Sequence, residues 1–391
     1  MGGQVQAKRI SSDVLYRLRA TVVTSSLIVL VLVFWSLSMA AEVTAVSIQS
    51  PNLTLNGVNN LTSPIHLQAT AEDSAMVTGY VVYVDNASVF RNFVAAADAW
   101  IVLPPGKHSL YVKAWDSHSN LSTQTYTVNI VGFAPPTPPV HAHRMANIDN
   151  GAWTVDNSPP VGGDCNHGSI APFPSNADPN TNNLPAVDGG GQHFVVTSGC
   201  TYDDSLFYRK FTQDPARLAR HTNFLWDFWF YIPTTTPAAS IQALEHDLFQ
   251  AVPLSDGVHE FMFGSQCNYK TNQWQIWLPQ GNKLTWVNAG VSPCSFSGGT
   301  WHHATYFLQR VAASGYQEIP ANFDPASDHN TSLRYGTLTI DGQSSYLGAT
   351  AWSTIPKPAW STVVGVQHQL DSAAAGALIE EYFDGESLIA W

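Results

Sequence analysis

Ile241-Gln-Ala-Leu-Glu-His-Asp-Leu-Phe249 alternates in character residue by residue, and a period of two identifies a strand. On that reading Ile241, Ala243, Glu245, Asp247 and Phe249 share one face, so two carboxyl groups stand side by side among apolar and aromatic neighbours. Half-buried acids are costly unless they are paired, hydrogen-bonded or metal-bound. A strand that carries two on one face therefore lines a cleft more often than a dry core. The same β-rich character continues through Phe263-Gly-Ser-Gln-Cys267-Asn, Trp274-Gln-Ile-Trp277, Trp286 and Trp301-His-His303.

Outward from this run, strand signals follow one another at 193–198, 205–211, 224–233, 240–252, 259–267, 273–278, 301–311, 335–341, 345–349, 361–370 and 377–391, with almost no helical periodicity between them. Pro215-Ala-Arg-Leu-Ala-Arg220 suits a single helical turn, and Ile340-Asp-Gly342 is a hairpin turn signal. Such a succession over residues 142–391 predicts one large antiparallel jelly-roll sandwich. Residues 43–131 hold shorter strands separated by Asp85-Asn86, Pro104-Pro-Gly106 and Asp116-Ser-His-Ser-Asn120, the spacing of an immunoglobulin-like sandwich. Between the two lies the proline-rich run of residues 132–141, read as a stiff spacer. The fold class is all-β.

Lys8, Arg9, Arg17 and Arg19 precede an uncharged run from Ala20 to Ala41, and Ser38-Met-Ala40 offers small residues for cleavage. Residues 1–40 read as a signal peptide, with an uncleaved membrane anchor as the alternative. Either way the chain is expected outside the cell, secreted or at the cell surface. Charged residues make up only 12% of the chain, and aromatics also reach 12%. The formal charge is −12 and becomes more negative once the basic leader is removed, which argues against nucleic acid and anionic lipid as partners. Membrane contact is expected only through an uncleaved leader. Neutral polysaccharide or a cell-surface glycan suits this balance.

Cys165, Cys200, Cys267 and Cys294 are even in number. Three pairings are open, of which the sequential one, Cys165–Cys200 and Cys267–Cys294, closes two local loops. No CxxC spacing favours zinc.

The aromatic strand Phe224-Leu-Trp-Asp-Phe-Trp-Phe-Tyr231, the Glu245-x-Asp247 strand, Trp301-His, the Ile340-Asp-Gly hairpin and a closing aromatic strand together resemble the concanavalin A-like lectin/glucanase superfamily. Gly106-Lys-His-Ser-Leu-Tyr-Val-Lys-Ala-Trp-Asp116 resembles the penultimate strand of bacterial immunoglobulin-like modules. The combination is similar to secreted acidobacterial-type proteins that join the two modules, and the resemblance implies glycan contact.

The retaining β-glucanases of that superfamily carry E-x-D-x-E or E-x-D-x-x-E, in which the first Glu is nucleophile and the last is acid/base. Glu245 and Asp247 match, but Phe249 or Gln250 stands in the last position. A glutamine cannot protonate a leaving group. Catalysis therefore needs a carboxyl from elsewhere: the candidates are Glu380, Glu381 and Asp384 in Ile379-Glu-Glu-Tyr-Phe-Asp384, of which Glu380 and Asp384 share a strand face, with Glu260 and Asp227 behind them. Legume-type lectins instead use such acids around calcium. No resident cofactor is expected, although a structural calcium ion held by Glu245, Asp247 and a histidine such as His246 or His368 stays open, against the fact that His246 points away from the acids. Flat indoles stack on pyranose rings while amides take the hydroxyls, which marks Trp274, Trp277, Trp286 and Gln250 as candidate ligand-binding residues.

The expectation is thus an exported carbohydrate-binding protein. Its alternatives are a glycoside hydrolase or polysaccharide lyase with Glu245 as nucleophile or base, and an adhesion or matrix protein without sugar specificity.

Overall fold

The computed structural model describes residues 44–48, 53, 57–72, 76–92, 96–157, 167–173, 190–201, 203–254, 257–280, 283–312, 317–318, 331–348, 350–351, 355–357 and 359–391. The candidate leader, residues 1–40, lies outside them. No helix among the described residues is long and apolar enough to cross a membrane.

The chain is all-β, with two separate hydrophobic cores. In the first, Thr44–Ile48, Ile65–Glu72 and Ala96–Ile101 form one sheet. It packs on a second made of Val58–Ser63, Leu121–Phe133, Gly106–Asp116, Val77–Val84 and Ala87–Asn92, in that order. Leu67, Tyr80, Val82, Leu110, Val112 and Val128 fill the space between. Alternation produces this core: in Gly106–Asp116 every second residue from Leu110 onward is buried. A small apolar seam joins this sandwich to the next. Val102 is buried with Leu225 and Phe307, Trp100 and Trp391 pack alongside, and Arg334 donates to the Val102 carbonyl at 2.9 Å.

The second core lies between two large antiparallel sheets. The groove sheet runs Thr154–Asp156, Asp204–Phe211, Val363–Ser372, Ile241–Leu254, Ser265–Asn268, Gln273–Gln280 and Lys283–Asn288. Gly257–Phe263 continues alongside Ile241–Leu254 where Ser265–Asn268 stops. The back sheet runs Gly168–Phe173, Gly191–Thr197, Leu378–Ala390, Asn223–Tyr231, Trp301–Ala312, Thr331–Ile340 and Gln343–Tyr346. Phe194, Phe207, Trp226, Phe228, Phe230, Leu244, Leu248 and Phe383 interdigitate between the sheets, as two half-apolar faces must.

Local chemistry sets the junctions. Asp341 and Gly342 both take positive φ, 49° and 79°, the backbone of a two-residue hairpin turn. Pro215–Arg220 forms one short helix, capped by Asp214, whose side chain accepts from the Arg217 N–H at 3.2 Å. The expected strand at 259–267 is broken at Gly264 into two. Trp277 packs so close there that an added Cβ would lie 2.7 Å from its Cβ.

Cys267 and Cys294 form a disulfide. Cys200 is also disulfide-bonded, and Cys165 lies outside the described residues.

Candidate functional site

The outer face of the groove sheet carries a cavity of about 610 Å³, and its floor follows from strand register. Leu206, Gln369, Glu245, Gln266, Gln275 and Asn288 stand in one row across six strands. The next row is Tyr208, Gln367 and Asp247, with Trp277 and Trp286 paired beyond. A third, on the other side of the Glu245 row, places Asp204 directly opposite Asp371. Because side chains alternate, these rows all face the same way. Within the cavity Gln242, Gln367 and Gln369 supply neutral amides beside Glu245, with Asp371 and Asp204 at one end and aromatic rings on the flanks, while Gln266, Gln275 and Asn288 carry the row on past it.

The amides are chained. Gln266 Nε2 donates to Gln275 Oε1 and Gln275 Nε2 to Asn288 Oδ1 at 2.9 Å, while Asn268 Nδ2 also reaches Gln275 Oε1 at 3.1 Å. On one flank Trp277 and Trp286 pack with centroids 4.9 Å apart. On the other, Lys210 Nζ lies 3.8 Å and Lys357 Nζ 4.7 Å from the Trp360 ring, and Lys357 pairs with Glu260 at 3.3 Å.

Glu245 is 5% exposed and opens onto the cavity. Its carboxyl donates a hydrogen bond to Asp371, a diagonal neighbour on the adjacent strand. Burial, then the negative charges of Asp371 and Asp247, push its pKa well up. Asp371 is raised to about 6 by burial, with the Gln369 amide and Glu245 holding it back. Asp204 is raised to about 7, by burial and then by Asp371 and Asp203.

Asp247 differs. It is fully buried, accepts from the Ser265 backbone N–H at 2.9 Å and from Gln367 Nε2 at 3.0 Å, and is raised to about 8 chiefly by burial. It pins the resumption of the neighbouring strand after Gly264.

Of the residues expected from sequence, Glu245, Trp277 and Trp286 line the cavity and Asp247 lies beneath it. Four others require correction. Trp274 is 2% exposed and part of the inter-sheet core, because it stands three residues from Trp277 on the opposite face of one strand. Gln250, of the opposite parity to Glu245, also points inward, where it donates to the Leu218 and His221 carbonyls at 2.6 and 3.0 Å and closes the end of the short helix. Glu380 and Asp384 belong to the back sheet and do not meet Glu245. Glu380 instead bonds His193 at 3.1 Å and Thr235 at 3.2 Å, while Asp384 is buried and accepts from the Gly385 N–H.

Ile241 also leaves the expected face. A register shift between Ile241 and Ala243 turns Ile241 into the core and Gln242 toward the cavity.

His246 and His368 face the core, their Nδ1 atoms 3.0 Å apart, on the side opposite to the acids. Burial drives both well below the ordinary imidazole range. Among the described residues no group of three or more His, Cys, Asp or Glu is arranged to hold a metal ion.

Sequence reading missed Asp371, Asp204, Gln367 and Gln369. For Gln367, Gln369 and Asp371 the signal was the alternation Gln367-His-Gln-Leu-Asp371, a polar face on one strand; Asp204 opens a different strand, Asp204–Phe211.

No family model and no curated protein matches the chain. Among solved structures it is similar to a carbohydrate-binding module of the β-sandwich superfamily, at 12% identity over 89% of this chain and 97% of the other, with a TM-score of 0.28. It is also similar to a carbohydrate esterase of the Shiga toxin-encoding bacteriophage phi24B, at 12% over 61% and 89%, TM-score 0.32. A third is the carbohydrate recognition domain of Emp47p, at 8% over 65% and 99%, TM-score 0.28. The reading of the groove rests on its own residues.

Proposed function

We propose that this protein is an exported carbohydrate-binding protein that holds a neutral polysaccharide in the groove above Glu245. One observation carries the reading: the cavity is lined by the amides of Gln242, Gln367 and Gln369 beside Glu245, with Trp277 and Trp286 at one end and Tyr208 and Trp360 at the other, and the chained amides of Gln266, Gln275 and Asn288 continue the same face of the sheet past it. Amides and carboxyls in such a row exchange hydrogen bonds with sugar hydroxyls, and indole faces receive the apolar faces of pyranose rings. The concanavalin A-like resemblance of the sequence agrees with this use of the sheet.

A retaining glycosidase is less well served. Double displacement needs two carboxyl groups about 5–5.5 Å apart with the glycosidic bond between them. Glu245 and Asp371 are in direct hydrogen bond instead, which leaves no room for a scissile oxygen.

Affinity electrophoresis of the full chain in laminarin, xyloglucan, galactomannan and hydroxyethylcellulose tests the proposal. Retardation by at least one of these polymers, reduced in Trp277→Ala and Trp286→Ala, is expected. Migration unaffected by all four would remove the binding reading. Release of reducing ends that disappears in Glu245→Gln would establish a hydrolase instead.

A further inference from the structure

We propose that the Glu245–Asp371 pair is a proton latch on the groove: with one proton shared between the carboxyls the floor accepts a neutral glycan, and with that proton gone it releases it. The inference rests on the binding reading above and adds a control to it.

The geometry begins with register. Asp204 and Asp371 are direct cross-strand partners on one face, and Glu245 sits diagonally across from Asp371 on the next strand. Like charges in such positions repel, and two carboxyls can share a hydrogen bond only while one is protonated. Glu245 is the donor and Asp371 the acceptor. The remaining partner of Asp371 is the Gln369 amide at 2.8 Å, which supports one negative charge and does not neutralise a second.

Surrounding charges do not supply the missing compensation. On the strand beyond Asp204 the titratable residue facing the groove is Asp156, an acid. Beneath the floor is Asp247, and at the far end Glu260 is paired with Lys357. Lys210 shares the Asp204 strand but lies six residues along it, about 20 Å away at the rise of an extended chain, and sits over Trp360. His246 and His368 project from the same two strands to the opposite face, into the core. Asp203, beside Asp204, adds to the negative side.

Loss of the shared proton thus sets two adjacent anions, and Asp204 as a third, on a floor where no cation among the described residues faces them; Lys270, two residues past Asn268 on the neighbouring strand, bonds the Ala239 carbonyl at 3.1 Å instead. Glu245 is almost fully withdrawn from water, so hydration does not screen the charge where it stands. The carboxyls must swing apart, which displaces the oxygens that a sugar hydroxyl would meet on the floor. Burial and the negative charges of Asp371 and Asp247 hold this proton on Glu245 well above the ordinary carboxyl range, while Asp371 stands at about 6 and Asp204 at about 7.

The test uses the same four polysaccharides with the full chain at pH 5.5 and pH 8.5. For any polymer that retards the wild type at pH 5.5, the dissociation constant should rise about tenfold or more at pH 8.5, the size of one lost hydrogen bond. Glu245→Gln places a permanent donor against Asp371 and should lose the pH dependence. Its fold is verified by thermal unfolding at both pH values. Wild-type binding equal at the two pH values, or a Glu245→Gln protein that weakens as the wild type does, overturns the latch and leaves the binding reading standing. No retardation at either pH overturns both.

Discussion

Asp247 and Glu245 share a strand face two residues apart, yet one is wholly structural and the other, though buried, borders the cavity. Asp247 satisfies the Ser265 N–H and the Gln367 amide. Asp247→Ala would leave two buried donors unmatched, a loss of roughly 2–4 kcal/mol visible in chemical denaturation. Trp286→Ala removes a half-buried ring that flanks the groove. It should weaken polysaccharide binding about three- to tenfold, the worth of one stacking contact, and leave the denaturation midpoint nearly unchanged. Affinity lost together with stability in both variants would contradict this division. At this scale the sequence was half legible. Parity would have separated Trp274 from Trp277 and Gln250 from Glu245, since residues three or five apart on one straight strand face opposite ways, but the residue types alone put all of them on the groove. The partner of Glu245 was not legible, because Asp371 is more than a hundred residues away in the chain and becomes a neighbour only through register.

At the scale of the element, the strand Ile241–Leu254 and its neighbours show why the alternation of the sequence foretold the sandwich but not its interruptions. The run of apolar and polar residues at 363–372 and at 378–390 reads directly as a strand with one buried face. The extra residue at Gln242 does not, because a bulge leaves the composition of a strand intact and changes only which side chains face the groove. Gly264 is a second interruption, occupied in effect by Trp277. Gly264→Ala forces that ring outward, so it should cost about 1–3 kcal/mol and weaken polysaccharide binding at the same time. An alanine variant of wild-type stability and affinity would show that the strand yields freely there. The Cys267–Cys294 bridge, 27 residues apart in sequence, closes the loop beside this element. Cys294→Ser should remove roughly 3–4 kcal/mol in the chain-entropy account.

Across the whole molecule, two opposed sets of buried groups govern stability against pH. Asp371, Asp204, Asp247 and Glu386 are raised to about 6, 7, 8 and 8, so between their unfolded values near 4 and these values the folded state holds more protons than the unfolded chain. Stability from them falls as pH rises through that window. Buried His246, His368 and His221, all lowered, the last to about 4, refuse protons that the unfolded chain takes below about 6.5, so their contribution falls as pH drops. Above pH 6.5 the raised acids act together with His303, which Asp227 raises and whose contribution is likewise lost as pH climbs. Calorimetric Tm should therefore be highest near pH 5–6 and decline toward pH 8, and Asp247→Asn should flatten that decline. A Tm that climbs from pH 6 to 8 would refute the assignment. The row of amides across the groove sheet has a consequence of another kind. Gln266 gives its N–H to Gln275 and Gln275 gives its own to Asn288, so every dipole points the same way, from the buried middle of the sheet to its exposed rim. Turning one amide around would set two donors or two acceptors face to face, and the row holds its sense as a unit. A polysaccharide also has a direction, from reducing to non-reducing end, and if the proposed ligand runs on from the cavity along this row, the row would meet a chain threaded forwards differently from the same chain threaded backwards.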